Sequence, residues 1–247
     1  MWKLDFRSHG ATEWNMGQLS AFKSAGGNPI PLFVAKDGAG NVQPITMAPA
    51  LVAATGNTAG IQVAFGTGKY LEADDRSSTA QNSFYVVYDN GTATLDTTSG
   101  GTSVISGRAR LRGGSINATT GAVSVSSFVW GRATSDTDAT QRSGWYVDYG
   151  VSGERQVSGA TLAGNTLVFG SLIPGASGDA AACGVSGGSG NEYRVNVDTG
   201  NGTRRVSTVG IFGQPLVVEL ESATSYTISD STGRRTKTVT SQVINQG

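Results

Sequence analysis

Glu72, Asp74 and Asp75 are clustered in sequence beside Lys69, Tyr70 and Arg76. Two carboxyl groups facing each other across a cleft are what glycoside hydrolysis needs, one as acid and the other as base or nucleophile. Trp130 and Trp145 are the aromatic candidates for the same carbohydrate chemistry. Adjacency in sequence does not set two groups across a cleft, however. A strand end running into a solvated turn accounts for the cluster more simply. Calcium needs only oxygen ligands, and Asp74 with Asp75, or Asp136 with Asp138, could contribute them. Neither pair forms the Asp-x-Asp-x-Asp-Gly loop with its distal Glu, and charged loops facing water explain both. Zinc needs several His or Cys ligands, whereas the chain has His9 and Cys183 alone.

Two further motifs fail on context. Gly66-Thr67-Gly68-Lys69 looks like a phosphate loop, but Val63 and Tyr70 stand where the Walker pattern requires Gly and a Ser or Thr. No long helix is expected after it to hold phosphates at its N-terminus. Gly184-Val185-Ser186-Gly187-Gly188 spells a nucleophile elbow, yet the order Ser then His is impossible with His9 upstream. The sequence therefore assigns no catalytic, cofactor-binding or metal residue and reads as non-enzymatic.

The elements that would position any site are strands. Gly, Ser, Thr and Val dominate; 36 of 247 residues are Gly and only 15% are charged. Such a composition suits short strands and tight turns rather than long helices. Lys plus Arg and Asp plus Glu each number 18, so no basic field attracts nucleic acid or anionic lipid. No apolar run approaches the ~20 residues of a membrane span.

Period-2 alternation recurs with turn signals between. Residues 32–46 read as strand, turn and strand, bending at Asp37 to Asn41. Residues 83–95 turn at Asp89-Asn90-Gly91, 143–157 at Gly150 to Gly153, and 191–206 at Asp198 to Gly202. Each unit has an aromatic opening an alternating strand, then Asp, then a Gly-bearing turn; Trp2 to Gly10 fits the same template. A repeated hairpin template argues for radial repetition, as in a β-propeller, where small sheets bury their faces against neighbours. At roughly 40–50 residues per blade, residues 2–247 would form about four to five blades of antiparallel strands. A β-sandwich and a β-helix are the rival architectures. Residues 97–142 read as loop-rich excursions, and 223–244 as a terminal hairpin turning at Asp230 to Gly233. Trp2, Phe33, Phe65, Phe84, Tyr85, Trp145, Tyr146 and Phe169 are the expected buried anchors.

The opening Met1 to Gly10 lacks the apolar core of a signal peptide. Alternation already under way at Trp2 is expected of a piece of a longer exported chain, with an incomplete ring. Cys183 has no internal disulfide partner. It reads either as a small buried residue or as one whose partner lies elsewhere in such a chain.

An ordered series of segments carries a family resemblance. It runs from Trp2-Lys3-Leu4-Asp5-Phe6 through Gln43-Pro44-Ile45-Thr46 to Phe65-Gly66-Thr67-Gly68-Lys69-Tyr70-Leu71-Glu72. It continues with Gly144-Trp145-Tyr146-Val147-Asp148, Gly153-Glu154-Arg155 and Val197-Asp198. The series resembles the C-terminal β-propeller region of the PilC/PilY type IV pilus tip adhesins, across about residues 2–202. The resemblance implies a secreted or surface-exposed module of pilus assembly, adhesion or surface sensing. It implies pilins or minor pilins and host or surface ligands as partners. The family's calcium loop lies upstream of the Trp2 strand, so calcium is not assigned to any residue of this chain. A carbohydrate-binding or glycoside-hydrolysing propeller is the alternative reading, and a quinone-dependent dehydrogenase-like propeller the third.

Overall fold

The computed structural model describes residues 1–7, 9–54, 59–92, 102–175, 188–207, 213–215, 218–219, 226–230, 233–237 and 243–244. Cys183 and the Ser186 motif lie outside them. The described elements are strands, apart from a four-residue helix at Met16–Leu19 and three short 3-10 turns. No helix among the described residues is long and apolar enough to cross a membrane.

Ten strands form one sheet: β1 (Ala50–Ala53), β2 (Ile61–Gly66), β3 (Ser83–Asp89), β4 (Arg112–Ile116), β5 (Ala122–Val125), β6 (Gly144–Asp148), β7 (Thr161–Ala163), β8 (Thr166–Gly170), β9 (Asn191–Asn196) and β10 (Gly202–Val206). Their spatial order is β1-β2-β3-β6-β4-β5-β10-β9-β8-β7. Every pairing is antiparallel except β4 with β6, which is parallel. Two antiparallel blocks, β1-β2-β3-β6 and β5-β10-β9-β8-β7, are thus joined through β4. The sheet curls into a nearly closed, barrel-like form. Further along the chain, β11 (Val218–Glu219) pairs with β14 (Val243–Ile244), and β12 (Tyr226–Asp230) with β13 (Gly233–Lys237).

Alternation along β3 explains the packing. Phe84 and Val86 face one core and Tyr85 and Val87 another, so the whole strand is buried. The first core joins alternate residues of β3 and β6 to those of β5, β8 and β9. Phe84 stacks on Phe169 with ring centroids 4.0 Å apart, and Phe169 on Tyr193 at 5.0 Å. The two blocks therefore grip each other through an aromatic column, worth about 0.5–1.5 kcal/mol per pair beyond area burial. The second core lies on the other face of β2 and β3, where residues 22–35 and 104–111 cover Phe65 and Tyr85.

Phe33, Phe65, Phe84, Tyr85, Trp145 and Phe169 are buried as expected. Trp2 is not: it is 45% exposed, and residues 2–6 make only a single bridge, Leu4 to Ser20, instead of a strand. The reason is local. The Met1 ammonium donates to the Phe33 carbonyl at 2.7 Å, and Leu32 N–H donates to the Met1 carbonyl at 2.9 Å. That docking leaves Trp2 at the rim of the second core. Tyr146 is half-buried. The expected hairpin at 32–46 keeps its turn, but its arms pair only at Lys36 and Val42. The 143–157 unit does not close as a local hairpin, since β6 pairs with β3 and β4. β3 pairs with β2 and β6, and residues 93–95 lie outside the described set. The 191–206 hairpin forms as β9 and β10. Within 97–142, β4 and β5 form a hairpin at the centre of the sheet. Gly114 admits no side chain there, since a Cβ would come within 2.6 Å of Val125 and 2.9 Å of Val147.

Candidate functional site

Three segments far apart in sequence, 43–46, 65–72 and 153–157, meet at one place. β2 ends at Gly66, and the chain then runs under the 153–157 segment. Thr67, fully buried, exchanges hydrogen bonds with Ser83 of β3: its N–H donates to the Ser83 carbonyl at 2.9 Å, and its Oγ1 accepts from Ser83 N–H at 2.8 Å. Gln156 N–H donates to the Thr67 carbonyl at 3.0 Å. Gly68 N–H donates to the Pro44 carbonyl at 2.8 Å, and Thr46 Oγ1 donates to the Gly68 carbonyl at 2.9 Å. A Cβ on Gly68 would lie 2.3 Å from that of Arg155, and its φ of +127° disfavours any L side chain. The Gly-Thr-Gly spelling therefore serves close backbone approach rather than phosphate.

Arg155 is the hub and is 2% exposed. Its Nε donates to the Gly153 carbonyl at 2.8 Å, Nη1 to Lys69 and Asp75 carbonyls at 2.9 Å each, and Nη2 to the Ser78 carbonyl at 2.7 Å. It pins the 69–78 loop from behind. Burial works against its charge, and Asp75 nearby supports it. Asp75 accepts from the Leu71 and Glu72 N–H groups at 2.8 and 2.9 Å. Those amides hold its carboxyl below the usual carboxylate range, with Lys69 at 3.4 Å adding to the effect. Lys69 also pairs with Glu72.

Glu154 is fully buried on the opposite side of the same turn. Its Oε1 accepts from Ser171 Oγ at 2.5 Å, Asn191 Nδ2 at 2.7 Å and Tyr193 Oη at 2.7 Å. Successive residues thus tie β8 and β9 through Glu154, the 69–78 loop through Arg155, and the end of β2 through Gln156. Burial pushes the phenols of Tyr149 and Tyr193 upward, and the Glu154 carboxylate adds to both shifts.

The arrangement locks the fold; it does not present a reacting pair. Asp75 is committed to amides, Glu72 to Lys69, and four Arg155 hydrogen bonds to carbonyls. Glu72 and Asp74 are exposed. Trp145 is completely buried and donates to the Val197 carbonyl at 2.8 Å, so it offers no face to a sugar. Half-buried Trp130 donates to the Asp198 carbonyl at 2.8 Å and packs on Phe128. Asp138 accepts from residues 134, 140 and 141 of its own loop, which holds its carboxyl low. Asp136 lies 3.4 Å from Arg110 Nε. Among the described residues no group of three or more His, Cys, Asp or Glu could hold a metal ion. The sequence singled out 153–157 as a motif without separating the tasks of Glu154, Arg155 and Gln156. It gave no sign of Arg108, which lies over the Tyr146 ring.

Comparison with known proteins agrees with this fold. A family model described as the PilY1 beta-propeller domain matches residues 10–119. A type IV pilus biogenesis factor PilY1 homolog of Xylella fastidiosa is 32% identical over 205 residues, covering 81% of this chain and 12% of that protein. The crystal structure of the Pseudomonas aeruginosa PilY1 C-terminal domain aligns with a TM-score of 0.55 at 20% identity, covering 90% of this chain and 49% of that one. The fold is thus an all-β, propeller-like one. Sequence similarity places this chain within the PilY1/PilC-type pilus adhesin family. It spans about 12% of the length of the curated relative it matches.

Proposed function

We propose that this chain is a non-enzymatic module of a type IV pilus biogenesis factor, acting at the cell surface or pilus tip in assembly, adhesion or surface sensing. One observation carries the reading. The segments that carry the resemblance to the pilus family converge on a junction whose charged groups are spent on hydrogen bonds and ion pairs within the protein itself. A module built so firmly at this junction is suited to presenting its outer surface to partners. Pilins or minor pilins are the partners that family membership supports, with host or surface ligands on the adhesive side. The test is genetic and biochemical. Deleting the parent gene should abolish twitching, and the immobilised parent protein should retain minor pilins. Normal twitching together with no retained pilin would overturn the proposal.

A further inference from the structure

A second arginine stands at the wall of a cleft. Arg108 lies over the Tyr146 ring, its guanidinium carbon 3.9 Å from the centroid. Its Nη2 donates to Asp148 Oδ1 at 2.6 Å and its Nη1 to the Lys36 carbonyl at 3.3 Å. Its Nε is buried with no hydrogen-bond partner. This stack forms the wall of a cleft of about 550 Å³, lined also by Lys36, Asp37 and Asp136. Small-molecule sites span ~300–1,000 Å³.

We propose that this cleft binds a neutral, polyhydroxylated ligand of the glycan class. The charges select it. The carboxylates of Asp37, Asp136 and Asp148 oppose the cations of Lys36 and Arg108, with Arg110 3.4 Å behind Asp136. An anion entering would meet the carboxylates, and a cation would meet the guanidinium and the ammonium. Either would be desolvated without matching compensation. A hydroxyl both donates and accepts, so a sugar ring can use the two kinds of group at once. A donor is at hand in the exposed Lys36 ammonium. An acceptor is at hand in Asp148, whose side chain is 43% exposed and whose Oδ1 alone receives Arg108 and Ser83. The wall is pre-formed. Asp37 is held by the Ala39 and Asn41 amides at 2.9 and 2.8 Å, and Asp148 by Ser83 Oγ at 2.6 Å. Little ordering would remain to oppose binding.

The proposal does not depend on the pilus reading, because it concerns the ligand of this cleft and not the assembly the parent serves. The test uses the 247-residue chain on an array of neutral oligosaccharides, with sialylated and sulfated glycans and chitosan oligomers as charged arms. Saturation-transfer NMR on the neutral probes follows. Gly38 lines the cleft, a Cβ there meets nothing within 4 Å, and its φ lies outside the left-handed region. Gly38→Trp and Ala109→Trp should therefore plug the cleft while thermal unfolding stays unchanged, weakening binding of neutral oligosaccharides roughly tenfold or more. Lys36→Ala, at an exposed side chain, should weaken it several-fold, and decides the matter if a plugged variant fails to fold. Failure to bind any neutral oligosaccharide overturns the proposal. So does binding confined to a charged arm, or binding undiminished in the folded variants. Twitching and pilin capture report on the pilus reading separately.

Discussion

Arg155 and Arg108 are both tucked against the sheet near an aspartate, yet they behave as opposites. Arg155 is 2% exposed and gives hydrogen bonds to the carbonyls of Gly153, Lys69, Asp75 and Ser78. Arg108 leans on a half-buried ring, meets one carboxylate and one carbonyl, and keeps an Nε without a partner. A buried cation saturated by backbone carbonyls is a structural rivet, since every contact it makes belongs to the fold. Arg108 instead shares a cleft wall with the exposed Lys36 ammonium and the part-exposed Asp148 carboxylate, where a ligand can still gain a hydrogen bond. The degree of saturation separates the two regions more sharply than burial or charge.

The contrast can be broken experimentally. Arg155→Ala should cost more than ~3 kcal/mol, because each carbonyl stranded away from water costs ~1–3 kcal/mol. Arg155→Lys should recover little, because a point charge cannot span the same carbonyls. Urea unfolding that moved no further for Arg155→Ala than for Arg108→Ala would erase the distinction.

Tyr85 lies between the regions, its single phenol proton directed to Gln43 Oε1 at 2.6 Å with the Lys36 carbonyl also within 2.9 Å. Burial pushes its phenol from 10.0 up to about 12. The unfolded chain therefore gives up this proton first. The associated stability is complete below pH 10 and is lost as pH rises towards 12, by about 2–3 kcal/mol. A urea midpoint constant across that window would contradict the tight packing between junction and cleft.

Gly68 and Gly40 sharpen the comparison at the level of backbone. Both have positive φ, +127° and +89°, but a Cβ on Gly68 strikes Arg155 whereas one on Gly40, in the cleft wall, meets nothing. Gly68→Ala should destabilise by about 2–3 kcal/mol through strain and clash together. Gly40→Ala should cost only about 1 kcal/mol, from its left-handed conformation. Equal effects would mean that the junction yields as readily as the cleft.

Arg108→Ala should have the smallest effect on stability, about 1 kcal/mol, the scale of a part-exposed cation–ring contact and ion pair. A large loss would make Arg108 a rivet like Arg155 and would remove the basis for an open site.

Much of this was legible in the residues. The alternation of Ser83–Asp89 and Asn191–Asn196 marked both strands, and the aromatics on them form the core that the pattern implied. Trp2 was misjudged because alternation records which side a residue takes, not whether a neighbour covers that side. Strand β4 was hidden because Gly113 and Gly114 break its pattern, and they are Gly for the sake of packing that lies elsewhere in the chain. The carboxylates 72, 74 and 75 drew attention as a group, yet the structure gives Asp75 to backbone amides and leaves Glu72 and Asp74 at the surface.

Composition and period-2 patterning by themselves determined the all-β class, the aromatic anchors of the central strands and the absence of a basic field, because these depend only on residue type and local spacing. The ordered segments were enough to indicate the family. Which strands became neighbours was decided only by the tertiary structure, because strand pairing and the joining of 43–46, 65–72 and 153–157 are long-range events. The same holds for the two arginines. Their side chains are chemically identical, and only the folded chain brings four carbonyls to Arg155 but a single carbonyl, one carboxylate and a ring to Arg108.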